Sequence, residues 1–317
     1  MKRKKLLVSA AGTATAWNII ATVNRKFPED IIVMACDINP SHLVASSTQV
    51  SAYSQVPRID APDYYVHMLD LMRRNDIDIY VPLIDMDMEH FFRNNPDLER
   101  MGVLSTAPAS GTVRVAVDKR NLFLFLEKKG FPVPRSIPLS AVQQDEYYFV
   151  KPARGFGSRG AGTMSGGSIR EIADPASVII QQVCSPPEVT VEVYRHGKNT
   201  RAVVRERIEI KAGVCTKARF YDDEHLQSVI RELVQSLDFP EASCIQFMKE
   251  TGSGRWLITD VNLRLGAGTA MSTAVGWDLT SAALATWAGL ACDPLEFLKP
   301  LHTERYVVRV YQEVVTI

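Results

Sequence analysis

Three runs in the first third of the chain, Lys5–Ala10, Ile31–Cys36 and Ile77–Leu83, are mostly continuous apolar sequence and do not alternate. Strands of that kind need cover on both faces, which a parallel sheet flanked by helices supplies. The intervening sequence provides the helices. Ala16–Val23 follows a small-residue loop at Gly12–Thr15, and Tyr64–Arg74 repeats Tyr65, Met68, Leu69 and Met72 at helical spacing. Asn39-Pro40 turns the chain after the second strand, and Met88–Arg93 opens a further helix. The front of the protein therefore reads as α/β.

The pattern then changes. Lys119–Lys129 is an amphipathic helix, closed by Gly130 and stopped by Pro132 and Pro134. Tyr147–Lys151 is a strand that runs into a glycine-rich loop, and Val178–Val183 and Val189–Tyr194 are further strands. Beyond them, Arg201–Lys211, the helix Glu224–Leu237, and strands at Cys244–Met248 and Trp256–Val261 suggest antiparallel sheet with helices. His196 before Gly197 reads as a hairpin. The expected architecture is α/β plus α+β, with no repeats and no low-complexity segment.

Composition excludes some functions. The 317 residues allow about two or three compact units. Hydrophobic residues at 46% and charged residues at 23% are ordinary for a soluble globular chain. Lys+Arg and Asp+Glu balance at 36 each, so no bulk field favours nucleic acid or an anionic membrane. Recognition of phosphate must then be local. Five cysteines, at 36, 184, 215, 244 and 292, form no C-x-x-C pair and fit a reducing compartment. Lys2-Arg3-Lys4-Lys5 followed by Leu6-Leu7-Val8 imitates a secretory signal, but Ser9 and loop residues cut the apolar stretch short. Ala282–Ala291 is too short to span a bilayer. The expected location is cytoplasmic.

Two front-end features invite functional readings. Gly12 after the first strand, with Asp37 ending the second, imitates a dinucleotide fingerprint, yet the loop Ser9–Thr15 has one glycine where that fingerprint needs two or three. A βαβ unit with a small-residue turn is the better reading, although Asp37 can still face a ligand at the carboxyl ends of the strands. Asp85, Asp87 and Glu89 place three carboxylates just beyond a buried strand. They suit either a hard-cation cluster or, preferably, an acid-rich helix start.

The chemistry concentrates further on. Lys151 ends a strand and is followed by four glycines in eight residues (Gly155, Gly157, Gly160 and Gly162), with Ser158, Arg154 and Arg159 interspersed. Backbone N–H groups of such a loop can surround phosphate oxygens while the lysine supplies fixed charge; a flexible surface turn is the alternative. It is not a Walker loop, because the lysine precedes the glycines. The second constellation is Asp260, Asn262 and Arg264, alternating with Val261, Leu263 and Leu265 and so sharing one strand face, with Gln246 on a strand that can pair beside them. Oxygen ligands next to a guanidinium suit magnesium on a polyphosphate.

Taken in order, Lys151 with its glycine loop, Gln181-Gln182-Val183, Glu188 to Tyr194, Gln246 and Asp260 to Gly268 resemble the ATP-grasp superfamily, most closely its carbamoyl-phosphate synthetase large-subunit branch. The resemblance runs from about Asp118 to Trp277, and the front unit is similar to the pre-ATP-grasp domain of that family. It implies domains at 1–112 (pre-ATP-grasp, Rossmann-like), 113–186 (the small subdomain with the glycine loop) and 187–317 (the subdomain with the metal site). Lys119 and Lys151 would contact phosphates, and the loop from Gly155 through Gly157, Ser158 and Gly160 would fold over them. Gln181, Gln182 and Val183 would hold adenine, and Glu188 the ribose hydroxyls. Gln246, Asp260 and Asn262 would be the magnesium ligands, and Arg264 would stand by the γ-phosphate. Arg205 and Arg207 could clamp a substrate carboxylate. The family usually has glutamate at Asp260 and proline at Leu263, and Gln-Glu where Gln181-Gln182 stand.

The implied reaction is phosphorylation of a carboxylate by ATP with Mg2+ (Mn2+ substituting), then displacement of phosphate by an amine, without a protein nucleophile. The six histidines fall in no recognisable motif. The expected partners are small-molecule carboxylate and amine substrates, amino acids or small peptides, with no nucleic acid and no membrane, and a homodimer is left open. A catalytically degenerate ATP-binding regulatory protein is the alternative, and a nicotinamide-dependent oxidoreductase a third. Gly12, Asp37 and Asp85 mark the front cleft where substrate selection is expected.

Overall fold

The computed structural model describes residues 2–155 and 160–316. The front sheet contains β1 (Lys4–Val8), β2 (Ile31–Asp37), β3 (Tyr53–Gln55), β4 (Ile79–Val81) and β5 (Leu104–Ser105), all parallel, in the order β3-β2-β1-β4-β5. Successive side chains point to opposite faces, and both faces are buried. Leu6, Val8, Val33, Ala35 and Ile79 pack on α1 (Ala14–Lys26), whereas Leu7, Met34, Cys36 and Tyr80 pack on α2 (Tyr64–Arg74). That two-sided burial is why these strands are continuously apolar.

α1 begins where Thr13 accepts a hydrogen bond from the Ala16 N–H, a side-chain cap for an otherwise unpaired donor. The third helix starts at its acids, as expected for Asp85, Asp87 and Glu89, but does not run the length of Met88–Arg93. α3 spans Asp85–His90, and Phe91 is its C-cap, so the chain has left the helix before Arg93. The acids at the N-terminal turn favour the earlier start through the helix dipole. Phe91 is fully buried, and its cap conformation turns the chain out of the helix. α4 (Pro96–Met101) follows, capped by Asn95 and ended by Gly102 at φ 70°.

α5 (Ser110–Ala116) and α6 (Lys119–Lys128) lead into a small antiparallel sheet of β6 (Tyr147–Pro152), β7 (Gly162–Ser165) and β8 (Val178–Gln181), ordered β7-β6-β8, with α7 (Gly166–Arg170) after β7. A larger antiparallel sheet has the order β13-β12-β9-β10-β11-β14. Its strands are β9 (Cys184–His196), β10 (Asn199–Lys211), β11 (Val214–Tyr221), β12 (Ala242–Glu250), β13 (Trp256–Asn262) and β14 (Arg305–Val308). His196 and Gly197 do form the β9–β10 hairpin, with Gly197 at φ 57°. α8 (Glu224–Ser236) buries Leu226, Ile230 and Leu233 against Val189, Val191 and Val204 of the sheet.

α9 (Thr269–Ala274) and α10 (Leu279–Ala288) complete the fold. α10 is apolar all round and almost wholly buried, and it extends the cluster that α1 and the front sheet begin. Asn18 donates to Thr280 at 2.8 Å, and Lys26 pairs with Asp278 at 2.7 Å. The parallel sheet followed by antiparallel sheets is the α/β plus α+β organisation expected from the sequence.

Candidate nucleotide and substrate site

A cleft of about 520 Å³ is lined by the small sheet on one side and the large sheet on the other. Lys151, on β6, is 6% exposed; its Nζ donates to the Thr259 carbonyl at 2.7 Å and lies 4.5 Å from the centre of the Phe123 ring. The acceptor exists because of a bulge. Gln246 pairs with Asp260 and Phe247 with Ile258, which leaves Thr259 out of the β12–β13 register. Burial pushes the Lys151 ammonium down to about 8, against the pull of the nearby Asp260 carboxylate.

Lys119 is the first residue of α6, and its backbone N–H is tied to the Ala153 carbonyl at 2.8 Å. Its Nζ reaches Asp260 Oδ1 at 2.8 Å, while Asn262 Nδ2 donates to Asp260 Oδ2 at 3.0 Å. Burial raises the Asp260 pKa, but Lys119 and Lys151 outweigh it and hold the carboxylate at about 2. Arg264 stands two positions past the end of β13, so the polar trio is not wholly on the strand as expected. It still joins the same face: its Nη2 donates to Asn262 Oδ1 at 3.3 Å, and its Nε to Asp85 Oδ1 at 2.7 Å. Gln246, Asp260, Asn262 and Arg264 all line the cleft.

At the other end, β8 stops at Gln181, so Gln182 and Val183 form a crossing between β8 and β9 and not the end of a strand. The Gln182 N–H is fixed by Arg135 O at 3.0 Å. The Gln181 amide is buried, and its Nε2 has no partner among the described residues. Glu188 and Arg207 pair across β9 and β10, and the second Arg207 prong donates to Gly213 O at 2.9 Å. Arg205 pairs with Glu192 at 2.9 Å. Gly155 and Gly160 flank the loop, at φ 147° and 72°, conformations that favour glycine. Gly157 and Ser158 lie outside the described residues.

The front-end residues separate. Asp37 Oδ2 accepts from the Gly12 N–H at 2.8 Å, and Asp37 Oδ1 accepts from both Asn39 nitrogens. Its carboxylate therefore closes a turn, and neither Gly12 nor Asp37 lines the cleft, whereas Asp85 does. The three acids of α3 also diverge. Asp85 meets Arg264, Glu89 pairs with Arg154, and buried Asp87 accepts from Tyr64 and Tyr80 at 2.8 and 2.6 Å. Among the described residues, no group of three His, Cys, Asp or Glu side chains is placed to hold a metal ion.

Residues 6–105 match the family model of the PylC-like, N-terminal domain, and residues 116–268 match that of the ATP-grasp domain. The segment 116–268 belongs to the ATP-grasp domain family. No curated protein matches it by sequence. Among solved structures, this chain superposes on the biotin carboxylase domain of Hydrogenobacter thermophilus 2-oxoglutarate carboxylase, crystallised with MgADP, ADP and bicarbonate. That match has a TM-score of 0.74 and 14% identity, over 93% of this chain and 72% of the other. L-amino acid ligase from Bacillus licheniformis gives 0.69 at 13%, over 95% and 78%. Rhizobium etli pyruvate carboxylase gives 0.72 at 15% over 93% of this chain, which spans only 29% of that enzyme.

Some features of this ATP-grasp cleft have no sequence signal. The Thr259 carbonyl is presented by a bulge that no residue type marks. Asp85 reaches Arg264 from 179 positions away. Arg309, beyond the matched segment, donates to Ala267 O at 2.6 Å behind the cleft wall.

Proposed function

We propose that the protein is an ATP- and Mg2+-dependent ligase that activates a small carboxylate as an acyl phosphate and couples it to an amine, with an amino acid or small peptide as substrate. The observation that carries this reading is the convergence of Lys119, Lys151, Asp260, Asn262 and Arg264 on one cleft. Lys151 has no carboxylate partner among the described residues, which leaves a fixed cation for a polyphosphate. The Asp260 carboxylate beside Gln246 and Asn262 fits magnesium that arrives on a nucleotide, since Mg2+ commonly takes one or two carboxylates plus phosphate oxygens. Gln246, Asp260 and Asn262 would hold that ion, which would neutralise phosphate charge. Mn2+ would serve in the same donor set.

The remaining roles fall to the protein. Lys119 and Lys151 would orient the phosphates, and Arg264, held by Asp85 and Asn262, would face the group transferred. The glycine loop would exclude water. Gln181, Gln182 and Val183 would hold the base, and Glu188 the ribose. Arg205 and Arg207 would face the substrate. Carboxylate oxygen attacks the γ-phosphorus, ADP leaves, and the amine then displaces phosphate. We place the working units at 1–112, 113–186 and 187–317, in the cytoplasm, with a homodimer as the assembly to test. No helix among the described residues is long and apolar enough to cross a membrane.

One observation favours a second reading. Both Asp260 oxygens are already engaged, by Lys119 and Asn262, which suits a nucleotide-binding regulator that does not turn over. Release of ADP on mixing the protein with Mg2+, ATP and pooled amino acids separates the two. ADP formation that depends on a carboxylate–amine pair supports the ligase; tight ATP binding with no such formation sinks it.

A further inference from the structure

Asp87 is 1% exposed, and no step of the proposed reaction uses its carboxylate. Two hydroxyls hold it. Tyr64, on α2, donates to Oδ1 at 2.8 Å, and Tyr80, on β4, donates to Oδ2 at 2.6 Å. Both tyrosines are themselves buried. A carboxylate is costly to take out of water even when it is hydrogen-bonded, and apolar side chains of similar volume often hold a core as well or better. Such a group points to a task beyond stability.

The helix that carries it shows the task. α3 has six residues, too few to be stable alone, and its N-cap Ile84 makes no side-chain cap. Contacts from outside must therefore set its rotation. Successive helical residues turn by about 100°, so Asp85 and Glu89 share one face and Asp87 lies on the opposite side. The contacts follow that geometry. Asp87 faces the tyrosines, while Asp85 Oδ1 accepts from Arg264 Nε at 2.7 Å and Glu89 pairs with Arg154. Phe91, the C-cap, stacks on Tyr65 with ring centres 5.2 Å apart and meets the Tyr80 ring edge-on, also at 5.2 Å. Packed rings tolerate sliding, whereas two hydrogen bonds to one carboxylate fix an angle. From Arg264 the hydrogen bonds continue through Asn262 and Asp260 to Lys119.

We propose that Asp87 is a positioning residue: gripped by Tyr64 and Tyr80, it sets the rotation of α3 and so aims Asp85 at Arg264. This rests on the ligase reading, in which Arg264 faces the group transferred.

Asp87→Asn tests it, together with Tyr64→Phe, which leaves Tyr80 to hold the carboxylate. The rate of ADP release at saturating Mg2+ and ATP with pooled amino acids should fall about tenfold in Asp87→Asn, and less steeply in Tyr64→Phe, with affinity for a non-hydrolysable ATP analogue unchanged. In an Asp85→Asn background either change should cost less than about twofold more, because the two acids act through one contact. Tyr65→Phe, whose hydroxyl meets Asp97 and not Asp87, should show no loss. Losses that multiply in the double variants, or that fall equally on analogue affinity, overturn the role. The Arg264 Nε–H resonance in 15N spectra, identified by its loss in Arg264→Lys, reads the geometry without turnover. It should be sharp in wild type and Tyr65→Phe and broadened in Asp87→Asn and Tyr64→Phe. A resonance unchanged in both of those variants, or broad in wild type, overturns the proposal. A wild type with the sharp resonance that binds the analogue and releases no ADP sinks the ligase reading instead.

Discussion

Lys119 Nζ and Asp260 Oδ1 lie 2.8 Å apart, joining the start of α6 to the bulged end of β13. Both side chains are largely buried, at 14% and 20% exposure, so the pair is weakly screened. The Asp260 charge is therefore shared between holding this corner together and meeting a ligand.

Asp260→Asn should lower turnover by about 100-fold, the scale of removing one electrostatic contact to a transition state, while the fold survives. Asp260→Glu, the residue the family usually carries, should keep turnover near wild type. The stability side has a defined sign. Asp260 titrates near 2 in the folded chain against an ordinary 3.8, so its contribution is present above about 4 and is lost as pH falls through about 2. Urea unfolding of wild type and Asp260→Asn should converge over that window.

Lys151 gives the opposite pH limb. Its folded pKa of about 8 lies below the ordinary 10.5, so the cation that would meet phosphate is lost as pH rises through 8. Nucleotide affinity should be highest below that point. Binding at pH 8.5 should take up a proton, read as a heat that varies with the ionisation enthalpy of the buffer. Lys151→Met should abolish that dependence.

Asp85→Asn tests how the front unit reaches the chemistry. Nothing else among the described residues accepts from Arg264 Nε, so the neutral amide should let the guanidinium wander. About a tenfold fall in kcat is expected, with nucleotide affinity unchanged. An equal loss in both would mean that Asp85 acts on binding instead.

The framework of the fold was readable because burial leaves a period in the sequence. The two-sided strands β1 and β2 and the stripe of α2 were found almost to the residue. The acid-rich helix start at Asp85 was legible from its three carboxylates after a buried strand, whereas the stop at Phe91 was not, because burial of that ring and not spacing sets it. In the cleft, Lys151, Asp260 and Arg264 were visible as residue types in order. What was not visible came from long-range geometry: the Thr259 carbonyl freed by a bulge, and the Asp85 link to Arg264.

Gly166 offers a check of packing independent of the chemistry. A Cβ there would fall 1.8 Å from the Gln143 carbonyl oxygen, a backbone atom that cannot swing aside. Gly166→Ala should cost about 1–3 kcal/mol, the usual penalty of overpacking, seen as a lower midpoint in thermal unfolding.

The contact of α1 with α10 also sets a timetable. Asn18 and Thr280 are 262 residues apart, and the apolar cluster around Ile19 and Ile20 includes Leu279, Ala282 and Ala283. On a ribosome adding roughly 5–20 residues per second, the first-made helix must wait on the order of tens of seconds for the segment that shelters it. During that interval the nascent chain carries a greasy flank into the crowded cell. The period of greatest risk for this protein therefore falls before its synthesis is finished, and slow translation ahead of residue 279 would lengthen it.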